Sequence, residues 1–330
     1  MRFHIITMVT SIGMGLTNDC NLNCPHCYSR PLKKSSITLP QIENIIKKYP
    51  GVRDINLGTG ESILNPSFRK ITGYILSKGI HLGLTSNGKT VNDMDMELLM
   101  SLHDVDISLD YTTEKKHDAW RGLSGTFKGA LKAIERCKEA GITTSIAMAL
   151  MNINYKELPK FKKLLDKFDC CLRINIYKPV GKNNFSLSYS QFWDSIKQMA
   201  DHFFLKSCSE PVLALIVPDM VIRRSPCGAS IRIHPDLTET SCVYVNGEKV
   251  SRNEFNSLKM KLPIACKSCR VMLQCGGGCL GRRILENRVN KPDKYCPIPL
   301  KLEVPTITFT YHPERGDFIH AGYLCTIILR

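Results

Sequence analysis

Apolar residues recur along this chain with two alternating periods, about every three to four positions in one stretch and every second position in the next. The exchange begins near residue 38. Thr38 with Gln41 makes a capping box, Ile42, Ile45 and Ile46 share one helical face, and Gly51 closes that helix before a strand over 52–57. The same reading predicts a helix over 67–77 ending before Gly79, then strands over 80–85 and 105–109. A helix over 126–140 ending at Gly141, a strand over 143–149, a helix near 157–168 and a strand over 172–177 follow. Phe127, Leu131, Ile134 and Cys137 share one face of their helix, so Cys137 reads as core. With an apolar run over 5–16 as first strand, the pattern makes six βα-type units, which right-handed crossovers close into a parallel barrel. A capped helix from Ser188, with Phe192, Ile196, Met199 and Phe203 on one side, leads to a change of composition near residue 205. The chain is therefore expected to divide into 1–204, 205–299 and a tail, 300–330. In the tail residues 307–311 alternate like a strand, and a reversal near Glu314-Arg315-Gly316 predicts a hairpin.

Composition narrows the class. A chain of 330 residues that is 43% hydrophobic can bury one large core and a smaller one. The apolar run over 5–16 falls well short of the ~20 residues that span a bilayer, and no small-residue cleavage site follows it, so a membrane role is not expected. Fifteen cysteines without a signal segment point to metal in a reducing cytoplasm rather than to disulfides. The net charge of +15 favours an acidic partner. Its basic pairs, Lys33-Lys34, Lys47-Lys48, Lys115-Lys116, Arg223-Arg224 and Arg282-Arg283, are scattered and carry no interleaved aromatics, which disfavours nucleic acid and leaves an acidic peptide or a merely solvated surface.

The candidate chemistry starts at Cys20-Asn21-Leu22-Asn23-Cys24-Pro25-His26-Cys27, followed by Tyr28. Three thiols spaced three and then two residues apart can converge on one soft metal centre, and thiolates are the ligands of iron-sulfur clusters. A corner of a zinc site, or unliganded thiols, are the competing readings. His26 reads as a residue facing the same pocket. Gly58-Thr59-Gly60-Glu61 follows the 52–57 strand, where small residues let backbone approach a ligand and a carboxylate can accept from an ammonium. Ser86-Asn87-Gly88 follows the next strand. Ser108-Leu109-Asp110, His117-Asp118, Arg121-Gly122 and Gly125-Thr126-Phe127 follow the third, and Lys178-Pro179-Val180-Gly181 the sixth. In a parallel barrel the C-terminal strand ends carry the chemistry.

These strings resemble the radical S-adenosylmethionine (radical SAM) enzymes. The resemblance implies an α/β fold, a partial (β/α)6 TIM-like barrel, with Cys20, Cys24 and Cys27 holding a [4Fe-4S] cluster. Its open iron would chelate SAM, which is cleaved to a 5'-deoxyadenosyl radical. It further implies SAM contacts from Thr59, Gly60 and Glu61, with Thr59 standing where the family has a glycine, and from Ser86 and Asn87. Ser108 and Asp110 are expected to alternate across their strand end, Ser108 on the ligand and the other bracing the loop. Arg121 would pair with the SAM carboxylate or brace the loop, and Pro179 and Gly181 would lie near the adenine.

Downstream, the run Cys266, Cys269, Cys275, Cys279, preceded by Cys227 and Cys242 and followed by Cys296, resembles the SPASM domain. That resemblance implies a small cysteine-rich iron-sulfur domain with two auxiliary clusters, three in all. Cys266, Cys269, Cys275 and Cys296 would hold the outer one, and Cys227, Cys242 and Cys279 the inner one. Leu237 stands where a glycine is usual, and an eighth cysteine is missing from 221–226, which leaves Cys208 or an open iron to complete the inner set. Zinc is the competing reading, although the longer gaps do not suit a ribbon. Together the parts imply an oxygen-sensitive, cytoplasmic oxidoreductase of the peptide-maturase type, reduced by a flavodoxin or ferredoxin. It would take hydrogen from a ribosomally made, acidic precursor peptide to form a thioether or carbon crosslink. A peptide epimerase, which would need a donor thiol such as Cys170 or Cys171, and an anaerobic sulfatase-type protein maturase are alternatives. An iron-sulfur electron-transfer protein is the alternative of a different class. Nineteen residues precede Cys20, so leader recognition is expected to fall to a separate leader-binding protein or to the barrel mouth.

Overall fold

The computed structural model describes residues 9–29, 33–181, 184–219, 230–245, 250–311 and 326–330. Cys227, the 221–226 stretch, the start of the first strand and the tail's reversal lie outside the described residues. In chain order the barrel elements are β1 (Ser11–Met14), α1 (Leu39–Lys48), β2 (Asp54–Leu57), α2 (Phe68–Ser77), β3 (His81–Ser86), α3 (Lys89–Asp93), α4 (Met96–Met100), β4 (Asp104–Ser108), α5 (Glu114–Arg121), α6 (Thr126–Glu139), β5 (Thr143–Leu150), α7 (Lys162–Phe168) and β6 (Cys171–Ile176). After them come α8 (Tyr189–His202), β7 (Leu205–Cys208), β8 (Ser230–Ile233), β9 (Glu239–Thr240), α9 (Arg252–Met260), α10 (Met272–Cys275), α11 (Leu280–Leu285) and β10 (Thr326–Leu329). The capping boxes expected at Thr38 and Ser188 both form.

Strands β1 to β6 lie side by side in sequence order and all run parallel. The register sorts their residues by parity. Ile12 pairs with Ile55 and Ile55 with Leu82, all fully buried, and Ile146 pairs with Leu172. This row packs on Ile71 and Ile75 of α2 and Ile134 of α6 in the main core. Each such side chain contributes roughly 1.5–3 kcal/mol by leaving water. The opposite row is small or polar. Gly13 pairs with Asn56, Thr85 with Asp106 and Ala147 with Arg173. Parallel strands covered on both faces read as near-continuous apolar runs; here the alternation persists because the inner face lines open space instead of a packed core.

Two segments beyond the sixth strand extend the sheet in ways the periodicity did not foretell. β8 pairs parallel with β1, placing Arg232 opposite Gly13, and β9 pairs antiparallel with β8. At the other edge β10 inserts antiparallel between β6 and β7, pairing Ile327 with Ile174 and with Cys208. The tail thus joins the barrel sheet. The visible arm of the expected hairpin has no regular strand, only a bridge from Tyr311 to Leu205 with Phe309 buried. Leu205 N donates to Thr310 O at 2.9 Å, so this segment touches β7 at one point instead of pairing along it.

The region after β8 buries a second, small cluster of Cys242, Val245, Phe255, Cys279 and Leu280. Arg282 is its anchor to the rest of the molecule. Its Nη2 donates to Glu210 and to Asp293 at 2.7 Å each, and the guanidinium lies 4.6 Å from the Tyr295 ring centre. Tyr295 stacks on Phe192 of α8 at 4.2 Å, and Trp193 Nε1 donates to its carbonyl. No helix among the described residues is long and apolar enough to cross a membrane.

A three-thiol cavity at the barrel mouth

Cys20, Cys24 and Cys27 come from the loop between β1 and α1 and line one open-mouthed cavity of about 980 Å³. The loop is tied down by backbone. Glu61 N donates to Asp19 O at 2.8 Å, and Asn23 N to Arg121 O at 3.1 Å. Gly60 has a φ of +67°, and a Cβ there would come within 2.3 Å of Thr17 O, so glycine is what allows the two loops to meet. Each sulfur has a polar neighbour. Cys20 Sγ accepts from Leu22 N at 3.5 Å and Asn87 Nδ2 at 3.7 Å, Cys24 Sγ from Arg121 Nη1 at 3.6 Å, and Cys27 Sγ lies 3.1 Å from Ser29 Oγ. Burial pushes the Cys20 thiol up to about 11 and raises that of Cys24. Free thiolates are disfavoured there, and sulfurs that accept N–H donors while giving their charge to a metal fit the site. Among the described residues no three Cys, His, Asp or Glu side chains close on a single-ion site.

Glu61 is buried and heavily engaged. Its Oε1 accepts from Ser86 Oγ, Thr90 N and Thr90 Oγ1, and its Oε2 from Asn87 N at 2.9 Å. Only Oε2 keeps acceptor capacity to spare. Ser86 is therefore a brace for Glu61. Asn87 spans Cys20 and Asn21, donating to Asn21 Oδ1 at 2.8 Å.

Ser108 and Asp110 both line the cavity, which corrects the expectation that only one would face the barrel. Residues two apart at a strand end point the same way. Asp110, fully buried, meets Arg121 Nη2 at 2.7 Å and His26 Nε2 at 3.8 Å, and accepts from Ala149 N at 3.0 Å. Burial works to raise its carboxyl, yet Arg121, His26, His117 and the Ala149 amide together hold it below the usual range. Of the two roles expected for Arg121, bracing is the one its geometry fills. His26 is pushed down to about 4 by burial, against the pull of Asp110, and its ring stacks on Trp120 at 5.4 Å.

Pro179 and Gly181 are not among the lining residues; Lys178 and Val180 are, because an extended segment presents alternate residues. Thr59 lines the neighbouring inner cavity, its Cβ taking the space left by Gly15, and Tyr28 Oη donates to Gly58 O at 2.9 Å beside it. Tyr244 escaped the sequence reading, and Lys178 entered it only as the first member of its string. Lys178 Nζ lies 4.5 Å from the Tyr244 ring centre, and Tyr244 meets Tyr28 edge-on at 5.4 Å. Only the position of Tyr28 directly after Cys27 hinted at this wall.

In the C-terminal region Cys266, Cys269, Cys275 and Cys296 line one small cavity of about 380 Å³. Cys242 and Cys279 share the second core, and a Cβ on Gly281 would come within 2.8 Å of Cys242 Sγ. Cys208 belongs instead to the main core, its thiol 3.9 Å from Glu210 O and pushed up to about 12 by burial. Leu237, at the usual glycine position, has a φ of +70°.

Residues 14–165 match the model of the Radical SAM superfamily. The chain carries a radical SAM domain. A domain of that superfamily implies a [4Fe-4S] cluster and SAM. The mycofactocin maturase MftC of Mycobacterium ulcerans is 25% identical over 85% of this chain and 86% of its own length. The sporulation killing factor maturation protein SkfB of Bacillus subtilis is 31% identical over 45% of this chain and 37% of its own length. The chain spans 47–48% of three other MftC proteins it matches. In fold the chain resembles Streptococcus suis SuiB bound to precursor peptide SuiA, with a TM-score of 0.70 at 15% identity, covering 88% of this chain and 76% of that one. It equally resembles anSMEcpe with bound AdoMet, with a TM-score of 0.70 at 19% identity, covering 88% and 91%.

Proposed function

We propose that this protein is a radical SAM peptide maturase that takes a hydrogen atom from a ribosomally made precursor peptide and leaves a thioether or carbon crosslink. The observation that carries the reading is the three-thiol cavity at the strand ends, which shares Tyr28, Asn175, Lys178 and Tyr244 with an inner cavity reaching Cys242. Cys20, Cys24 and Cys27 would hold the cluster. When bound, cluster and SAM together supply the oxidising radical chemistry. The chain's own residues position: Glu61 Oε2 and the Gly58–Gly60 backbone would receive the cofactor's ammonium, Asn87 and Arg121 donate to the Cys20 and Cys24 sulfurs, and Asp110 holds Arg121 and His26 in place. Cys266, Cys269, Cys275 and Cys296 would hold an outer auxiliary cluster, and Cys242, Cys279 and Cys227 an inner one, with a flavodoxin or ferredoxin as reductant.

Among the described residues the thiols lining the two cavities are Cys20, Cys24, Cys27 and Cys242, all candidate ligands. Cys170 and Cys171 are not among them, and Cys170 is pushed up to about 12 by burial. That favours crosslinking over epimerisation, which needs a thiol to return hydrogen. Replacing Cys20, Cys24 and Cys27 by Ala should remove about four irons and abolish release of 5'-deoxyadenosine while the remaining iron persists. Unchanged release in that variant would end the reading.

A further inference from the structure

Among the described residues the two most exposed large apolar side chains, Ile264 at 82% and Met260 at 71%, both lie in the cysteine-rich region. Met260, at the end of α9, and Leu273 of α10, 51% exposed, line one groove of about 610 Å³ together with Leu262, Met272 and Leu280. Gly276 and Gly278 line it too, each with a positive φ that turns the chain between α10 and α11, and neither with a side chain to fill the space. An exposed apolar patch of this kind marks an interaction surface, and methionine lets such a surface adapt to what it holds. Among the described residues no thiol lines the groove, and it shares no lining residue with either barrel cavity. Charge decides what covers it. Residues 252–302 hold eleven lysines and arginines against three acids, which is +8 of the chain's +15 in less than a sixth of its length. The residues outside the described ones carry seven lysines and arginines and three acids, so they add to that charge rather than cancel it. Lys259 and Arg283 line the groove, and the exposed Lys261 stands between two lining residues. The Arg283 guanidinium donates to the Val289 and Lys291 carbonyls, which leave its charge in place.

We propose that this groove is the docking site for an acidic, amphipathic segment of the substrate peptide, separate from the stretch that is modified. Apolar side chains of that segment fill the space between Met260, Met272 and Leu273, and its carboxylates face the basic surround. A concave groove lined by methionine and leucine suits inserted side chains, whereas an electron donor would need a face laid over thiols, and none lines this one. Docking here turns capture of the reacting stretch into an intramolecular step. The inference rests on the maturase reading and deepens it, placing peptide recognition on the cysteine-rich region instead of at the barrel mouth or on a separate protein.

The test uses the full chain, reconstituted anaerobically, with binding followed by fluorescence anisotropy. The probe is a labelled synthetic peptide with Leu at i, i+3, i+4 and i+7 and Glu on the opposite face. Two controls carry Lys in place of Glu, or the same composition in scrambled order. The acidic amphipathic peptide should bind, less tightly as salt rises, and each control should bind about 10-fold more weakly or worse. Met260→Glu combined with Leu273→Glu should weaken binding about 10-fold or more, and Lys261→Glu should weaken it independently. These positions are exposed, so iron content and release of 5'-deoxyadenosine should stay as in the parent. No binding of the acidic peptide, a control binding equally well, or folded variants binding like the parent would each overturn the proposal. So would loss of self-association on Leu273→Glu in sedimentation, which would assign the groove to a second copy of the chain. Variants that lose a flavodoxin instead of the peptide would assign it to the electron donor and overturn it too. Peptide binding with no turnover of any peptide carrying that segment would count against the maturase reading alone. Undiminished turnover of such a peptide by the Met260→Glu, Leu273→Glu variant would count against the groove alone.

Discussion

The barrel and the cysteine-rich region bury themselves by different means. In the barrel, Ile12, Ile55, Leu82 and Leu172 leave water completely and pack on helices that would find that face by periodicity alone. Beyond residue 230 the largest fully buried side chains include Arg282, Arg283 and Tyr295, and the apolar cluster is five residues, two of them cysteine. A buried arginine between two carboxylates gains little net stability over an apolar replacement of the same shape, but it fixes one arrangement, and losing one member leaves uncompensated charge. The barrel is thus held by area. The C-terminal region is held by specific polar geometry around its thiols.

That contrast can be broken at its strongest point. Replacing Cys266, Cys269, Cys275 and Cys296 together by Ala should remove about four irons and open residues 252–296 to protease while SAM binding and the barrel's circular dichroism persist. Collapse of both regions at once would dissolve the distinction. Next in size, Arg282→Met alone should cost about 3–5 kcal/mol, because Glu210 and Asp293 would face each other unpaired; chemical unfolding measures it. Burial raises the Glu210 carboxyl against the pull of Arg282, so the variant should lose less at mildly acidic pH, where Glu210 takes up a proton.

A third test sits in the barrel. His117 is fully buried; burial and the nearby Arg121 push it down to about 4, against Asp110 and Asp118. Folding therefore favours the neutral ring, whose Nδ1 accepts from Asp110 N. The unfolded chain takes up the proton first, so this stability is present above pH 6.5 and is lost as pH falls towards 4. The loss is up to about 3 kcal/mol, and His117→Gln should flatten that part of the pH profile in anaerobic unfolding. The smallest effect is a gain: Leu237→Gly should stabilise the cysteine-rich region by about 1 kcal/mol, read as a raised midpoint, because leucine holds a left-handed backbone that glycine adopts freely while its side chain is 40% exposed.

Legibility in the sequence followed range. The capping boxes at Thr38 and Ser188 and the five strands after the first depend on residues within a few positions of one another, and those strands stand within two residues of where local pattern puts them. The first strand, expected over 5–16, is regular only at Ser11–Met14 among the described residues. The helix expected near 157–168 is 3-10 over Tyr155–Phe161 and α-helical only over Lys162–Phe168. The family resemblance singled out the string 178–181 but named Pro179 and Gly181 as its members near the ligand, whereas Lys178 and Val180 line the cavity. The rule of two, applied at Ser108 and Asp110, had been read in the wrong sense.

What the sequence by itself determined was the periodicity of the strands, the clustering of thiols and the glycine positions where loops approach closely, because backbone sterics and side-chain polarity act over a turn or a strand. Only the tertiary structure decided that β10 would enter the sheet between β6 and β7, that Arg282 would find Glu210 and Asp293, and that Asn56, Lys178, Arg232 and Tyr244 would surround one space. Those meetings join residues far apart in the chain. They are set by how a curved sheet brings its edges and their attached loops together, and no local pattern encodes that closure.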